Sequence, residues 1–186
     1  MTHPPSPGSF RVLLHNDAIV RRSRELALRI QQDYPAEPPL LVSVIEGARA
    51  FTRQLQKSLG TVAVHEIRAS SYGNATESSG EVKITPIGEI DAKGRDVLLV
   101  EDIVDTGRTV VALMDYFRSR GARQCRVATL LTKPSRRVVD VDLHYVGFEI
   151  PDEFVIGFGM DHAGRYRELL DVVIYDAAVE GTAAQS

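Results

Sequence analysis

The apolar positions of the chain change period several times, and each change marks an element. Ile19, Val20, Leu26, Ala27 and Ile30 fall on one face at helical spacing, with Asn16 or Asp17 placed to cap the first turn. Leu40 to Ile45 predicts a buried strand, with Glu46-Gly47 as its turn. Ala48, Phe51, Leu55 and Leu59 mark a second helix that Gly60 ends, and Val62 to Ala69 reads as the next strand. A polar stretch from Ser70 to Gly80 precedes the alternating Val82 and Ile84 of an edge hairpin. Val97 to Val100 is apolar throughout and predicts a strand buried on both faces, ending at the carboxylates Glu101 and Asp102. Beyond a short loop, Thr109 opens a helix with Val110, Leu113, Met114 and Phe117 on its buried face and Gly121 at its C′ position. Further strands are expected near residues 126–131, 143–148 and 172–175. The alternation predicts an α/β fold with a mostly parallel twisted sheet flanked by helices.

Composition narrows the class. The 186 residues suit a single domain, with residues 1–9 and 178–186 expected to be flexible from their small, polar and Pro-rich composition. A net charge of −3 offers no basic excess, so neither nucleic acid nor a membrane surface is expected as a partner. The single cysteine, Cys125, stands just before an apolar run and reads as a buried structural thiol. With no signal-like or membrane-length apolar segment, the expected location is cytoplasmic.

The segment from Glu101 to Thr109 carries the candidate chemistry. In open α/β sheets ligands bind beyond the carboxyl ends of the strands, where helix N–H groups attract anions. One reading is a buried strand followed by a solvated acidic turn. A helical Asp-x-x-Asp metal motif fails, because Asp102 and Asp105 precede the helix instead of lying one turn apart upon it. A third reading is a phosphoribosyl-pyrophosphate (PRPP) loop, which uses every residue type present: acids for ribose hydroxyls and a metal, and a Thr-Gly-x-Thr turn for a 5′-phosphate.

Val97 to Thr109 resembles the PRPP motif of the type I phosphoribosyltransferases. Ser70-Ser71-Tyr72-Gly73, Leu131 to Arg137, Ile150 to Gly157 and Asp161 to Arg167 follow in the order found in bacterial hypoxanthine-guanine phosphoribosyltransferases, so the resemblance runs from about Asp17 to Tyr175. It implies the type I fold with a small hood. The implied reaction is purine salvage: PRPP and hypoxanthine or guanine give IMP or GMP and pyrophosphate, with Mg2+ (or Mn2+ in its place) as cofactor and a homodimer or homotetramer as the working form. Asp105 would be the general acid/base at N7 of the purine. Asp105, Thr106, Gly107, Arg108 and Thr109 would wrap the 5′-phosphate, with Arg108 the weaker ligand. Glu101 and Asp102 would hold the ribose hydroxyls, directly or through Mg2+. Asp161 would serve a second metal and stands within the purine-binding set. Lys133 would donate to O6, Phe154 would stack on the purine, and Val155 would meet its edge. Arg167, Glu46 and Gly47 would bind pyrophosphate, and Ser71 and Tyr72 would belong to a mobile loop.

Without that resemblance, Lys133 reads as surface, Phe154 as core and Arg167 as an exposed helix residue. Two positions depart from the family pattern. Glu46 stands where Lys or Arg is usual, so it is expected to contribute its backbone N–H and point its carboxylate elsewhere. The peptide before it is often cis in the family, which sequence leaves open. His162 stands where tyrosine is common and reads as a packed or exposed histidine in preference to a metal ligand. The alternative function is a non-catalytic module that senses PRPP or nucleotides on the same fold.

Overall fold

The computed structural model describes residues 10–71 and 82–177. β1 (Arg11–Leu14) leads into α1 (Asn16–Asp33), which buries Ile19, Ser23, Leu26, Ala27 and Ile30 and leaves Val20 partly exposed. Neither Asn16 nor Asp17 caps this helix. His15 occupies the N-cap position without a side-chain bond, and the Asn16 N–H donates to Asp171 Oδ1 at 2.7 Å. A carboxylate distant in sequence thus satisfies a helix donor and places negative charge at the positive end of the dipole.

β2 (Leu40–Ile45) is buried along its whole length, α2 (Arg49–Leu59) ends at Gly60, and β3 (Val64–Ser71) pairs with the antiparallel edge strand β4 (Val82–Ile87). β5 (Asp96–Val104) precedes α3 (Arg108–Ser119), which closes with the Gly121 N–H donating to Arg118 and the Ala122 N–H to Phe117. Gly121 adopts the positive φ this closure requires. β6 (Gln124–Thr132), β7 (Tyr145–Glu149), β8 (Val155–Ile156) and β9 (Val172–Ile174) complete the series.

The six-stranded sheet has the order β4-β3-β2-β5-β6-β7 and is parallel except for β4. Side-chain alternation gives it two apolar faces. Leu41, Leu98, Val100 and Leu130 pack with α1 and α2, while Leu40, Val42, Leu99 and Val127 pack with α3. A separate antiparallel sheet, β1-β9-β8, has its own small core of Phe10, Ile156, Tyr166 and Val173 and forms the expected hood. β3 and β5 flank β2 on opposite sides, so the carboxyl ends of β2 and β5 frame the crevice where a sheet of this kind receives a ligand.

β5 runs further than the apolar pattern suggests. Its ladder with β6 continues through Glu101↔Thr129, Ile103↔Leu131 and Val104↔Thr132, so the two carboxylates belong to the strand itself. Cys125 is buried, and burial pushes its thiol pKa up to about 12. Among the described residues no helix is long and apolar enough to cross a membrane.

Candidate active site

A cavity of about 470 Å³ opens at the crevice between β2 and β5. Its walls include Glu46, Gly47, Glu101, Asp102, Asp105, Thr106, Gly107, Thr109, Lys133, Phe154, Val155, Asp161 and Arg167. Those residues come from widely separated parts of the chain and meet because parallel strands carry their following loops to the same sheet edge. Arg108 lies outside the walls, on the first turn of α3. Tyr72 lies outside the described residues, and Ser71 is the last residue of β3.

The loop Asp105 to Gly107 turns β5 into α3. Gly107 takes φ 87°, where a side chain would be strained and would also press on the Val139 carbonyl. The Thr106 carbonyl accepts from the Val138 and Val139 N–H groups at 3.1 and 3.2 Å, which fastens the loop from behind. Gly107, not Asp105, is the N-cap of α3, and no side chain caps that helix. The Asp105 carboxylate instead accepts from Arg136 Nε at 3.2 Å. Apart from a long 3.4 Å bond from the Arg108 N–H to Thr106 Oγ1, no side chain among the described residues caps the α3 N-terminus, whose Gly107, Thr109 and Val110 line the cavity and suit an anion.

Glu101 is 5% exposed, and burial together with the neighbouring Asp102 charge holds its pKa well above the ordinary value. Burial also raises Asp102 to about 6, opposed by its backbone hydrogen bonds and by Arg167. Gly47 backs onto the Asp102 carboxylate so closely that no Cβ fits between them. On its other side the Gly47 carbonyl fills the space a Cβ on Gly159 would need.

The Ile45-Glu46 peptide is cis. The Glu46 carboxylate points toward cations, forming ion pairs with Arg49 and, at 3.1 Å, with Arg68. Arg49 also grips Glu66 through two bonds of 2.7 and 2.8 Å. Arg49 stands three residues beyond Glu46 and offered a local signal, whereas Arg68 and Glu66 come from β3 and share no local motif with the loop.

Lys133 closes β6 and is buried, with its Nζ 3.6 Å from Asp152 Oδ1. Phe154 is 52% exposed, and its ring edge meets His162 and Tyr175 at centroid distances of 5.6 and 5.5 Å. Phe154 thus lines the cavity while the His162 and Tyr175 rings, nearly perpendicular to it, brace it from the side. His162 itself packs 4.3 Å from Tyr175, as a packed histidine would. Asp161 accepts from Arg167 at 2.7 Å and from the Gly164 N–H at 2.7 Å, so both its oxygens are engaged. Arg167 also donates to the Gly159 carbonyl at 2.7 Å. Three features are combined: an anion-binding helix end, a floor of buried acids, and a slot with an aromatic wall, an ammonium and a carboxylate. Together they suit a phosphorylated sugar beside a planar polar ring.

Residues 11–163 match the phosphoribosyl transferase domain. The chain is 42% identical over 160 residues to a hypoxanthine-guanine phosphoribosyltransferase of Streptococcus thermophilus, covering 86% of this chain and 89% of that protein. A crystal structure of a hypoxanthine phosphoribosyltransferase from Staphylococcus aureus superposes with a TM-score of 0.87 at 34% identity, covering 92% of this chain and 95% of that one. A Trypanosoma cruzi hypoxanthine phosphoribosyltransferase variant complexed with its product IMP superposes with a TM-score of 0.84 at 35% identity, covering 92% of this chain and 94% of that one.

Proposed function

This chain belongs to the phosphoribosyl transferase family, and from that premise we propose how its residues divide the work. It acts as a hypoxanthine-guanine phosphoribosyltransferase, a purine-salvage enzyme that joins hypoxanthine or guanine to the ribose 5-phosphate of PRPP and releases pyrophosphate. The observation that carries the assignment of roles is the placing of Asp105, Lys133 and Phe154 around one cavity with the α3 N-terminus and the Glu101–Asp102 pair.

Displacement at an anomeric carbon builds positive charge on the ribose as its bond to pyrophosphate stretches. The chain's task is to grip a polyanion, align the purine nitrogen and keep water out. Thr106, Gly107 and Thr109 wrap the 5′-phosphate at the helix end, with Arg108 adding charge from outside the cavity wall. Glu101 and Asp102 take the ribose hydroxyls. Gly47 and the Glu46 backbone, with Arg167, bind pyrophosphate. Phe154 stacks on the base and Val155 meets its edge. Lys133 donates to O6, which favours a 6-oxo over a 6-amino purine because an amino group would set donor against donor. Asp105 holds the proton exchanged at N7.

Among the described residues no group of three His, Cys, Asp or Glu side chains is arranged to hold a metal. Magnesium commonly uses only one or two carboxylates plus substrate oxygens, and two adjacent acids in β5, one of them nearly fully buried, fit that use. Glu101 and Asp102 would hold Mg2+ on the ribose side. Asp161 would serve a second ion through the lone pairs that its bonds to Arg167 and the Gly164 N–H leave open. When bound, the ion neutralises charge on the departing pyrophosphate.

The test is incubation with PRPP, Mg2+ and separately hypoxanthine, guanine, xanthine or adenine, followed by nucleotide absorbance. Turnover with the 6-oxopurines and its loss in excess EDTA are expected. Tight PRPP binding without turnover would overturn the assignment in favour of a sensing module.

A further inference from the structure

Four charged side chains form an alternating row whose two end members, Asp105 and Lys133, line the cavity. Asp105 accepts from Arg136 Nε at 3.2 Å, Arg136 Nη1 stands 3.7 Å from Asp152 Oδ2, and Lys133 Nζ stands 3.6 Å from Asp152 Oδ1. The row begins and ends on the two groups assigned to the purine, the N7 partner and the O6 donor. Those two purine atoms are neighbours on one edge of the ring, so their protein partners must be held at a matching separation and direction. Arg136 and Asp152 have no part in the roles above. Both are half-exposed and belong to short turns, Arg136 in the 3₁₀ turn Pro134–Arg136 and Asp152 between β7 and β8.

We propose that Arg136 and Asp152 are positioning residues that set the Asp105 carboxylate and the Lys133 ammonium for 6-oxopurine recognition; this rests on the purine-site assignment made above. A guanidinium is planar and offers several donors in a fixed fork, so one Arg can meet two carboxylates at once. It engages Asp105 through Oδ1, and a carboxylate has a second oxygen with which to meet a purine nitrogen. Asp152 plays the converse part, lying between a guanidinium and a buried ammonium. In open solvent such pairs contribute little to stability. A purine covering the slot removes water from the row, and each orientation it fixes then weighs more in binding. The row thus acts on recognition of the base and hardly on folding.

The experiment compares Arg136→Ala, Arg136→Lys, Asp152→Asn and the Arg136→Ala/Asp152→Asn double variant with wild type and Asp105→Asn. The readouts are kcat and KM for hypoxanthine and guanine, the rate with adenine, PRPP titration and thermal melting. For Arg136→Ala and Asp152→Asn, kcat/KM for the 6-oxopurines is expected to fall about 10- to 100-fold, with PRPP affinity within about twofold and an unchanged melting temperature. Arg136→Lys should recover part of the loss, and the double variant should be no worse than the poorer single. Purine kinetics within about twofold of wild type in both single variants, with Asp105→Asn inactive, would overturn the proposal and leave the purine site standing. An active Asp105→Asn enzyme would instead overturn the purine-site assignment on which the row depends.

Discussion

Gly47 and Asp102 are in such close apposition that the backbone of one occupies the room a side chain would take beside the carboxylate of the other. A residue of the loop proposed for pyrophosphate is thereby fitted against the acidic floor of the cavity. The φ of Gly47 is not in the left-handed region, so any side chain would be penalised by collision alone.

Gly47→Ala is accordingly expected to displace either the loop or Asp102. A misplacement of about 1 Å near reacting atoms costs on the order of 10² in rate, so kcat/KM for PRPP should fall by about that factor. Steady-state kinetics with varied PRPP check this, and near-normal values would show that the loop yields without consequence.

Asp105→Asn preserves shape but cannot accept the purine proton. Turnover should drop about 10²–10⁴-fold, the usual range for loss of a general base, while PRPP still binds. Single-turnover kinetics with an independent PRPP titration separate the two effects.

Changes at the base slot should be felt by the purine alone. Phe154→Ala is expected to weaken purine binding by about 1–3 kcal/mol if the ring stacks. Lys133→Ala should raise the purine KM or relax the preference for 6-oxo bases. Separate titrations with PRPP and with purine decide the matter, since a loss confined to PRPP would misplace both residues.

Glu46 is held by two arginines, which changes what charge reversal should do. Glu46→Lys sets an ammonium against Arg49 and Arg68 and abolishes both pairs. Exposed pairs are worth about 0.2–1 kcal/mol each, so a loss of about 2- to 30-fold in PRPP kcat/KM is expected, with a smaller loss in Glu46→Gln. Equal or better activity in Glu46→Lys would mean that only the backbone of this loop matters.

Away from the site, Arg123 grips Asp96 through two bonds of 2.8 Å, chiefly by hydrogen bonding, and this lowers the Asp96 pKa from its ordinary 3.8. A carboxylate more acidic in the folded than the unfolded chain stabilises the fold above its ordinary pKa, and the benefit disappears as pH falls through the folded value. Because Arg123 is largely exposed, Asp96→Asn should cost only about 0.5–1 kcal/mol at pH 7. Urea melts of both proteins should draw together as pH falls below 3.8 and through the folded value, and a difference that persists at lower pH would point to packing instead of charge.

Much of the fold was legible because hydrophobic period reports burial, and the six-stranded sheet is buried on both faces. The residues proposed for phosphate and base stand in ordered motifs, and the structure brings most of them to one cavity, with Arg136 inside one of those motifs. What escaped has a common cause. The cap of α1 comes from Asp171, the partner of Asp105 from Arg136, and the partners of Glu46 from two other elements. Except for Arg49, three residues beyond Glu46, each is a tertiary contact with no local spacing to betray it. β1 escaped too, since Arg11–Leu14 is short and partly exposed and gains its strand partner only from β9.

That pairing, Arg11 with Ile174 and Val12 with Val173, has a consequence for the order of assembly. Synthesis makes β1 before every other described strand and β9 after them, so β1 waits unpaired until all the strands of the six-stranded sheet have been made. Val155 and Ile156 pair with the same late strand, and Phe154 immediately precedes them. Under the proposed roles, a nascent chain can complete the phosphate cradle of β5 and α3 while the Phe154 wall is still unbuilt, and the purine side of the site waits until β1 and β9 meet.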